Sequence, residues 1–477
     1  MSRRIAIIGS GPSGWATFKT LEYLHRHCCT IVLLDAGLRE SQSSKAPTLA
    51  GKTKFGSTHM YGGNFLNIRF SSPNNISLAN GGLSTIWGAG IRLWDKEILE
   101  NYGDPGKIYE SAEQLLGDIP YSGTGESLNF PKGFKITDTQ SPPNSGDFKS
   151  LFAHTFSGVC SFETALAVDV STALKCIGCG NCLSGCPYGS IFDSGTAFDK
   201  QATILNIEKR QILVKKIVST KDGIEVKGLL ASYQEFVEMF DEVHLCAGAI
   251  GTPVLLLNSN LVDVADISIL DSQVFYFLGF KKFQKSENPS FALSQITLSS
   301  DNSTSNNFKA SLYKSNTDIR SRINELLKSK LFFNLPLPSF LDRFLFLGIG
   351  FLDAKNSGTI KIRKVGKEVM VETISPGTKQ IREALLRIRK YLSPKGFYVL
   401  PGVFIKPPPG LGFHSGGGFP IASSHVDEFG RLRNDPRIRI SDVSILKSIP
   451  AGAHTFSSMS IVSSTIKSEY ENSNHRA

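Results

Sequence analysis

The first 35 residues restrict the fold more than any other part of the sequence, because two apolar runs flank a glycine-rich turn. Residues 5–8 are a continuous apolar run, which is typical of a strand buried on both faces. Apolar residues then recur every three positions over residues 15–24 and predict a helix. Residues 30–34 predict a second strand that ends at Asp35. The turn before the helix has the pattern G-x-G-x-x-G, and its residues are Gly9, Gly11, Pro12, Ser13 and Gly14.

This order of strand, glycine turn, helix, strand and acid predicts the nucleotide-binding half of a Rossmann-like domain. Glycines in the turn let the backbone approach a pyrophosphate at the N-terminus of the helix. Asp35 lies 21 residues after Gly14, where its carboxylate can accept a hydrogen bond from a ribose hydroxyl. The unit therefore predicts a dinucleotide cofactor, and the motif alone does not distinguish FAD from NAD.

A second motif lies at residues 176–187 and follows the pattern C-x2-C-x2-C-x3-C-P, with Cys176, Cys179, Cys182 and Cys186. Thiolates at this spacing can surround an iron–sulfur cluster, because a tight loop turns successive side chains inward and the interleaved glycines permit that turn. Zinc sites usually divide their ligands between two knuckles that lie farther apart in sequence. The spacing therefore favours iron–sulfur over zinc.

The sequence leaves the fourth ligand of this cluster open. In ferredoxins with two clusters, the last cysteine of such a run binds the other cluster, and this chain has no second run. Either Cys186 completes a 4Fe–4S cluster, or a distant thiol such as Cys160 or Cys246 does, or the cluster is 3Fe–4S.

Five further segments carry a resemblance to a known family. They are GGLSTIWGAG (81–90), DEVHLCAGAIGTPVLLLNS (241–259), GFHSGGGFP (412–420), DEFGRLRNDPRIRISDVSIL (427–446) and PAGAHTFSSMSIVSS (450–464). In this order and spacing they resemble the glucose–methanol–choline family of FAD oxidoreductases. The resemblance extends over about half of the chain, and residues 261–400 match only loosely.

The resemblance implies an α/β fold with a Rossmann-like FAD-binding domain, an antiparallel-sheet α+β substrate domain and a small cysteine-rich iron–sulfur insertion. We expect five segments: the first part of the FAD-binding domain (1–155), the insertion (156–198), the second part of the FAD-binding domain (199–260), the substrate-binding domain (261–420) and a C-terminal return to the FAD-binding domain (421–477).

The resemblance also implies further FAD contacts. The loop at 81–90 looks like the segment that passes over the flavin, and residues 247–253 look like a strand end that turns into a helix near the phosphate and ribitol. Asp442 matches an aspartate that lies near the FAD diphosphate or ribitol. The implied residues are Gly82, Ser84, Trp87, Gly88, Ala247, Gly248, Thr252 and Asp442.

His414 and His454 match the pair of polar residues that faces the flavin N5 in this family. Histidine suits this position because its ordinary pKa near 6.5 lets it take a hydroxyl proton at neutral pH. The carbinol carbon then becomes a hydride donor to the flavin. The segment after His414 is GGGFP rather than the more usual Gly-Thr or Gly-Gly-Cys with a following Met-Gly, so the resemblance does not extend to the substrate contacts of this loop.

A flavin takes two electrons at once as a hydride, whereas a protein or quinone acceptor takes them more easily one at a time. A nearby cluster would provide the one-electron exit, so we expect a dehydrogenase with a non-oxygen acceptor. Some sugar dehydrogenases of the family carry such a cluster, which favours an alcohol, sugar or glycosylated carrier as substrate and all four cysteines as ligands of a 4Fe–4S cluster. The alternatives are a ferredoxin-fed flavin reductase and a non-catalytic electron relay or redox sensor.

Charge and composition limit the partners. Lys and Arg number 52 against 42 Asp and Glu, a formal net charge of +10. This favours a solvated basic surface, and an acidic redox partner, a phosphorylated substrate or an anionic membrane is the alternative. The basic residues are scattered and no nucleic-acid-binding motif accompanies them, so nucleic acid is not expected.

The remaining features concern the compartment. No run of 18 apolar residues predicts a spanning helix, and the apolar run after Arg4 is too short for a signal peptide. The cysteines outside the motif lie in apolar settings and indicate reduced thiols, so we expect a cytoplasmic protein. Residues 319–333 predict a basic amphipathic helix before the Phe- and Leu-rich residues 335–354. Burial in the substrate domain is the favoured interpretation, and contact with a membrane surface is the less favoured one.

Overall fold

The computed structural model describes residues 3–25, 29–37, 67–71, 76–139, 148, 151, 155–170, 176–180, 182, 186–205, 207–230, 232–282, 292–300, 307–315, 319–320, 323–324, 326–328, 340–341 and 344–474. The strands are β1 (Arg3–Ile8), β2 (Cys29–Asp35), β3 (Ile68–Phe70), β4 (Thr155–Phe156), β5 (Val159–Glu163), β6 (Glu208–Thr220), β7 (Gly223–Leu230), β8 (Glu235–Phe240), β9 (Glu242–Leu245), β10 (Ile267–Asp271), β11 (Val274–Lys281), β12 (Ile296–Ser300), β13 (Phe308–Lys314), β14 (Leu345–Leu352), β15 (Thr359–Val365), β16 (Glu368–Ile374), β17 (Phe397–Ile405), β18 (Ser415–Gly416) and β19 (Ile438–Ile440). The α-helices are α1 (Pro12–His25), α2 (Lys96–Leu99), α3 (Pro105–Leu116), α4 (Gly125–Leu128), α5 (Ser194–Leu205), α6 (Gly248–Ser259), α7 (Lys379–Leu392) and α8 (Thr455–Asn474).

The first sheet contains the predicted strand–turn–helix–strand unit. Its order is β19-β9-β1-β2-β6-β7-β8, and the strands from β19 to β6 are parallel. The last four residues of β1 and of β2 are buried, as expected for strands covered on both faces. The helices α1, α3 and α8 pack against one another beside this sheet. The predicted elements at residues 5–8, 15–24 and 30–34 therefore lie within β1, α1 and β2.

A second sheet is antiparallel, in the order β17-β11-β14-β13-β12-β5-β4. One face is apolar, because Phe275, Phe277, Phe308 and Phe346 pack with buried side chains of α7. Helix α7 is strongly amphipathic, and its buried residues recur at the spacing of one helical face. The opposite face of the sheet is left for a cavity.

The third sheet links the other two. Its order is β18-β10-β15-β16-β3, and β3 joins β16 in parallel although the rest is antiparallel. Helix α6 contacts both β6 of the first sheet and β15 of this one. Buried side chains of the two sheets belong to one continuous apolar core. The short β18 is important for the site, because it follows directly after His414.

Two predicted segments, the cysteine-rich insertion and the amphipathic helix, can be compared with the observed fold. Strand β5, at the start of the segment predicted as the cysteine-rich insertion, pairs with β12 of the antiparallel sheet. The predicted helix at 319–333 is helical where the structure describes it, and Ile319, Ile323 and Leu326 are buried against that sheet. Residues 329–333, together with much of the apolar segment that follows, lie outside the described residues. Within the described ranges, no helix is both long and apolar enough to cross a membrane.

Candidate active site

A cavity of about 710 Å³ lies between the carboxyl ends of the parallel strands and the open face of the antiparallel sheet. This is the edge at which open α/β sheets bind their ligands. The predicted residues that line it are Gly9, Gly11, Pro12, Ser13, Asp35, Gly82, Ser84, Trp87, Gly88, Ala247, Gly248, His414, Asp442 and His454. Gly14 and Thr252 lie behind this surface and support it.

The three glycines of the N-terminal turn have different roles. Gly9 has a φ of 110°, and a Cβ there would lie 2.4 Å from the carbonyl oxygen of Cys246. A Cβ at Gly14 would lie 2.1 Å from the carbonyl oxygen of Gly9, so this residue lets α1 pack closely on the turn. Gly11 has no described atom within 4 Å of the position of a Cβ, and it faces the open cavity. Two glycines therefore shape the turn and one leaves space for a ligand.

Asp35 lies at the end of β2 in the cavity wall. Its carboxylate accepts hydrogen bonds from the backbone N–H of Ser10 (Oδ2, 2.7 Å) and of Gly37 (Oδ1, 2.7 Å). Burial raises the pKa of Asp35, and these hydrogen bonds act against that rise. The carboxylate is thus fixed beside the glycine turn, where the sequence predicted a ribose contact.

Serine side chains hold the loop at 81–90 against the turn. Ser10 Oγ accepts from the backbone N–H of Gly81 (2.8 Å), and Ser194 Oγ donates to the carbonyl oxygen of Ser10 (2.8 Å). Ser84 Oγ lies 2.9 Å from Ser194 Oγ. Ser10 and Ser194 were not among the predicted site residues, since nothing in their local sequence marks them.

The close approach of this loop to the turn depends on small residues. A Cβ at Gly82 would lie 3.4 Å from the Cα of Gly11, and Gly82 has a φ of 58°. Farther along, the indole Nε1 of Trp87 donates to the carbonyl oxygen of Phe192 (2.9 Å). The loop therefore lines the cavity along its length, and its tryptophan is tied to the segment that follows the cysteine motif.

Asp442 fixes the N-terminus of α6 at the same cavity. Its Oδ2 accepts from the backbone N–H of Gly248 (2.8 Å) and from Thr252 Oγ1 (2.5 Å), and its Oδ1 accepts from the backbone N–H of Ser444 (2.8 Å). Thr252 Oγ1 in turn accepts from the backbone N–H of Ala247 (3.2 Å). Burial raises the pKa of Asp442, and the hydrogen bond from Thr252 is the largest opposing effect. The helix terminus with its partial positive charge is therefore held open toward the cavity.

The two predicted histidines meet in the cavity. The ring centroids of His414 and His454 are 5.0 Å apart and the rings are nearly perpendicular, at 84°. Phe351 packs on His414, with 4.3 Å between ring centroids. In the described part of the chain, Nδ1 of each imidazole is buried without a hydrogen-bond partner. Both histidines line the cavity, where a bound ligand or water can supply the missing partner.

Burial makes both imidazoles weak bases. It lowers the pKa of His454 to about 4. Burial also lowers the pKa of His414 well below its ordinary value, and the neighbouring His454 adds to the effect. Both rings are consequently neutral at neutral pH and retain a free nitrogen that can accept a proton.

His414 and His454 are held in place by different secondary-structure elements. The carbonyl oxygen of His414 accepts from the backbone N–H of Ser272 (2.8 Å), and the following Ser415 donates from Oγ to Oδ1 of the buried Asp271 (2.7 Å). His454 directly precedes α8, and its carbonyl oxygen accepts from the backbone N–H of Ser458 (2.9 Å). One histidine is therefore fixed by β10 and β18, and the other by the start of the C-terminal helix.

The face of the antiparallel sheet that borders the cavity carries polar side chains that the sequence did not single out. They belong to β12, β13 and the segments around them: Arg92, Thr164, Ser294, Thr297, Lys309, Ser311 and Tyr313. Strand alternation places every second residue of β13 on this face. No local motif distinguishes these residues from ordinary strand residues, so only the pairing of distant strands could have identified them.

The cysteine motif forms a separate loop. The backbone N–H of Cys176 donates to the carbonyl oxygen of Asp169 (3.1 Å), and Gly178 and Gly180 take left-handed φ values of 70° and 81°. These are the conformations that the predicted tight turn requires. The loop leads into Phe192, which contacts Trp87 of the cavity wall. The cysteines themselves do not line the cavity.

The four thiols lie near one another but do not form a ready ligand set. Burial, with a smaller contribution from Cys176, Cys179 and Cys186, raises the pKa of Cys182 to about 12. Cys179 is exposed, whereas Cys182 is buried. Within the described residues, no three His, Cys, Asp or Glu side chains converge closely enough to hold a metal ion. The structure thus shows a cysteine loop, and a cluster in it stays a prediction.

Comparisons with known proteins identify the fold. The structure is similar to pyridoxine 4-oxidase from Mesorbium loti, with a TM-score of 0.65 and 13% sequence identity over 98% of this chain and 99% of that one. It is similar to formate oxidase, with a TM-score of 0.64 and 13% identity over 99% of both chains. A formate oxidase variant from Aspergillus oryzae RIB40, described for its effect on FAD modification, gives a TM-score of 0.62 and 12% identity over 98% of this chain and 99% of that one. The sequence matches no protein-family model and no curated protein.

At these identities the likeness shows a shared fold. It confirms the predicted α/β class, with a Rossmann-like domain and an antiparallel-sheet α+β domain. The cysteine-rich insertion and the division into five segments stay predictions.

Proposed function

We propose that this chain is an FAD-dependent oxidoreductase that oxidises a hydroxyl group on a small-molecule or glycan alcohol. The observation that carries the proposal is the pair of neutral imidazoles, His414 and His454, with an unpartnered Nδ1 on each, in the cavity that begins at the glycine turn. The two oxidases that share the fold, one of them described with FAD, add support.

The residues that line the cavity fit FAD. Gly11, directly before α1, has no described neighbour within 4 Å of the position of a Cβ, so the backbone there is open to a pyrophosphate. Gly248 leaves similar space beside the cavity, although its N–H donates to Asp442. Asp35 offers a carboxylate for a ribose. The small residues of the loop at 81–90 leave room for a ring system between this loop and the histidines.

The chemistry follows from what each group can supply. FAD, when bound, supplies the acceptor for a hydride. The protein orients the alcohol between the two imidazoles and removes the hydroxyl proton. Each neutral ring has one nitrogen that carries no proton, and we assign the hydroxyl proton to that nitrogen on one of the two rings. A low pKa for these rings keeps them unprotonated and ready to accept it.

The test is purification of the chain, measurement of its FAD content, and anaerobic addition of a panel of alcohols, polyols and sugars. Bleaching of the flavin absorbance by at least one compound is expected. His414→Ala and His454→Ala should retain FAD and lose on the order of 100- to 10,000-fold in the rate of bleaching. His425→Ala is the matched control, because His425 does not line the cavity. Full activity in both FAD-loaded variants would refute the assignment.

We propose, further, that the cysteine loop holds an iron–sulfur cluster, which would supply one-electron transfer. The C-x2-C-x2-C-x3-C-P spacing and the mutual proximity of the thiols support this. Cys160 and Cys246 make contacts elsewhere, to the carbonyl oxygens of Ser299 and Ser441. We therefore favour Cys186 over these distant thiols as the fourth ligand of a 4Fe–4S cluster, with 3Fe–4S as the alternative.

Iron and acid-labile sulfide, measured after anaerobic purification, test the cluster. Cys176→Ser and Cys186→Ser should reduce the iron content, whereas Cys160→Ser should leave it unchanged. If Cys160→Ser loses iron and Cys186→Ser retains it, the fourth ligand is Cys160 and not Cys186. Absence of iron and sulfide from the unaltered protein would end the cluster proposal.

The identity of the electron acceptor distinguishes a dehydrogenase from an oxidase. The proposed cluster favours a protein or quinone that takes one electron at a time, whereas the names of the two structural relatives favour oxygen. Oxygen uptake and peroxide formation, compared with reduction of a quinone and of a one-electron dye, distinguish them. Turnover with oxygen at the rate found with the artificial acceptors would favour the oxidase.

A further inference from the structure

An unpaired lysine borders the cavity on the side away from the glycine turn. Lys309 lies in β13 and lines the cavity, and its ammonium group makes no hydrogen bond or ion pair with any described residue. We propose that Lys309 binds an anionic group, a carboxylate or a phosphate, of the substrate that His414 and His454 deprotonate. This inference rests on the proposed function and names the substrate class: an alcohol that carries a negative charge.

The stem of Lys309 runs along Gly452 in the wall of the cavity, on the segment that leads to His454. A Cβ at Gly452 would lie 3.0 Å from Cδ and 3.2 Å from Cβ of Lys309. Gly452, with a φ of 88°, therefore leaves the groove along which the lysine stem runs. His454 is two residues farther along the chain. In the sheet, Lys309 pairs with Phe351, which itself packs on His414.

Neighbouring charged groups do not neutralise Lys309. Arg92 lies nearby, but its guanidinium donates to the carbonyl oxygens of Glu126 (2.8 Å) and Ser127 (2.9 Å) and to Asn129 Oδ1 (2.9 Å). Asp95 attracts Lys309 without forming an ion pair with it, and one oxygen of Asp95 accepts from Asn129 Nδ2 (3.2 Å). Asp95 and Glu126 both attract Arg92, so two carboxylates lie near the two cations, but neither carboxylate forms an ion pair with Lys309 in the described part of the chain.

Burial lowers the pKa of Lys309, and the nearby Arg92 adds to that effect against the attraction of Asp95. A partly buried ammonium group without a direct partner is unfavourable, because it has lost part of its hydration without gaining an ion pair. An anion in the cavity would restore that partner. Binding of an anion would remove this unfavourable free energy, so the site favours a negatively charged substrate over a neutral one.

Hydroxyl groups continue from the lysine along the same face of the sheet. Ser311 is two residues from Lys309 on β13, and its Oγ lies 3.3 Å from Thr297 Oγ1. Thr297 Oγ1 is 2.9 Å from Thr164 Oγ1, which is 3.1 Å from Ser294 Oγ. This row can donate to and accept from several hydroxyls. The class that fits both features is a polyhydroxylated acid or a phosphorylated polyol.

The experiment measures anion binding by the FAD-loaded protein with isothermal calorimetry, using acetate and inorganic phosphate as probes. At least one probe should bind, and which one binds identifies the anionic group. Lys309→Met should weaken its binding about 10- to 100-fold, as expected for loss of a charged hydrogen bond. Lys309→Arg should retain it within a few-fold. Lys227→Met, which removes an exposed lysine that pairs with Glu225 on β7, is the matched control and should bind like the unaltered protein.

Turnover provides an independent check with gluconate, glucose 6-phosphate and glucose as a series that differs in charge. Lys309→Met should raise KM for the charged compound and leave that for glucose unchanged. Equal binding by Lys309→Met and the unaltered protein, or binding of neither probe, would overturn the inference. Protein without FAD, or flavin that no alcohol bleaches, would instead contradict the proposed function.

Discussion

At the scale of single residues, the site owes its chemistry to burial. His414 and His454 would titrate near pH 6.5 in water, but the cavity disfavours their charged forms. The sequence predicted the pair only through a family resemblance, since an isolated histidine is usually a structural residue. It could not predict their pKa values, because the burial comes from Phe351 and other residues far away in sequence.

The shifted pKa values predict the pH dependence of turnover. A base works only when unprotonated, so kcat/KM falls as the pH drops through its pKa. With the pKa of His454 at about 4 and that of His414 well below its ordinary value, kcat/KM should stay level from pH 8 down through pH 6.5 and fall only at lower pH, near pH 4 where His454 is the base. Stopped-flow flavin reduction across this range measures the acid limb. A midpoint at pH 6.5 would show that the base titrates as it would in water.

Asp271 predicts a pH-dependent stability. This carboxyl group is buried beside the His414 loop, and burial raises its pKa from 3.8 to about 6, while the Ser415 hydrogen bond opposes the rise. The folded protein therefore holds a proton between pH 4 and 6 that the unfolded chain releases. Protonated Asp271 therefore stabilises the folded protein at low pH. This contribution, on the order of 3 kcal/mol, is lost as the pH rises from about 4 through about 6.

The substitution Asp271→Asn removes this titration while keeping an acceptor for Ser415. Its free energy of unfolding, relative to the unaltered protein, should increase between pH 4 and pH 7, as measured by urea denaturation. Asp222→Asn in an exposed turn is the control, and it should show no such trend. A pH-independent difference for Asp271→Asn would mean that the buried carboxyl group does not ionise in this range.

At the scale of elements, the sequence predicted those strands and helices that are determined by residues close together in the chain. The first strand, turn, helix and strand were evident because their apolar residues and glycines are contiguous. Pairing between distant segments was not: β5 joins β12 across more than 130 residues of chain, and β3 joins β16 across about 300. The cavity face of the antiparallel sheet, with Lys309, results from such pairings, so no motif could indicate it.

Three glycines of β11 and β14, Gly279, Gly348 and Gly350, each lie beneath an aromatic ring of the adjacent strand. Phe277 pairs with Gly348, and a Cβ at Gly348 would lie 2.0 Å from Cζ of Phe277. Phe275 covers Gly350 in the same way. Gly348→Ala should therefore destabilise the protein by about 1 to 3 kcal/mol through overpacking.

Thermal or urea unfolding measures the effect of Gly348→Ala. Gly377→Ala is the control, because Gly377 is exposed, has no positive φ and has no described atom within 4 Å of the position of a Cβ. Equal stability of the two variants would mean that the ring of Phe277 moves aside without cost.

At the scale of the whole molecule, buried charges tie the two ends of the chain together. Glu242 on β9 pairs with Arg3 on β1 and with Arg431, and Arg439 on β19 pairs with Glu469 on α8. Burial acts to raise the pKa of Glu242, but His244 and the arginines outweigh it and the pKa is lowered. The helix that these pairs anchor is the one that begins directly after His454. Stability at the far end of α8 and the position of His454 are therefore linked.

This link predicts different effects for two glutamates on one helix. Glu469→Gln removes the ion pairs of Glu469 with Arg431 and with Arg439, which is only 1% exposed, so the free energy of unfolding should fall by about 3 kcal/mol. Glu471 pairs with Lys107 at the surface, where both side chains are about half exposed, so Glu471→Gln should cost less than about 1 kcal/mol. Urea denaturation at neutral pH compares them, and the rate of flavin reduction near the midpoint of unfolding should fall first in Glu469→Gln. If both variants unfold at the same urea concentration, the buried pair does not hold α8 in place and the position of His454 is set by its local contacts alone.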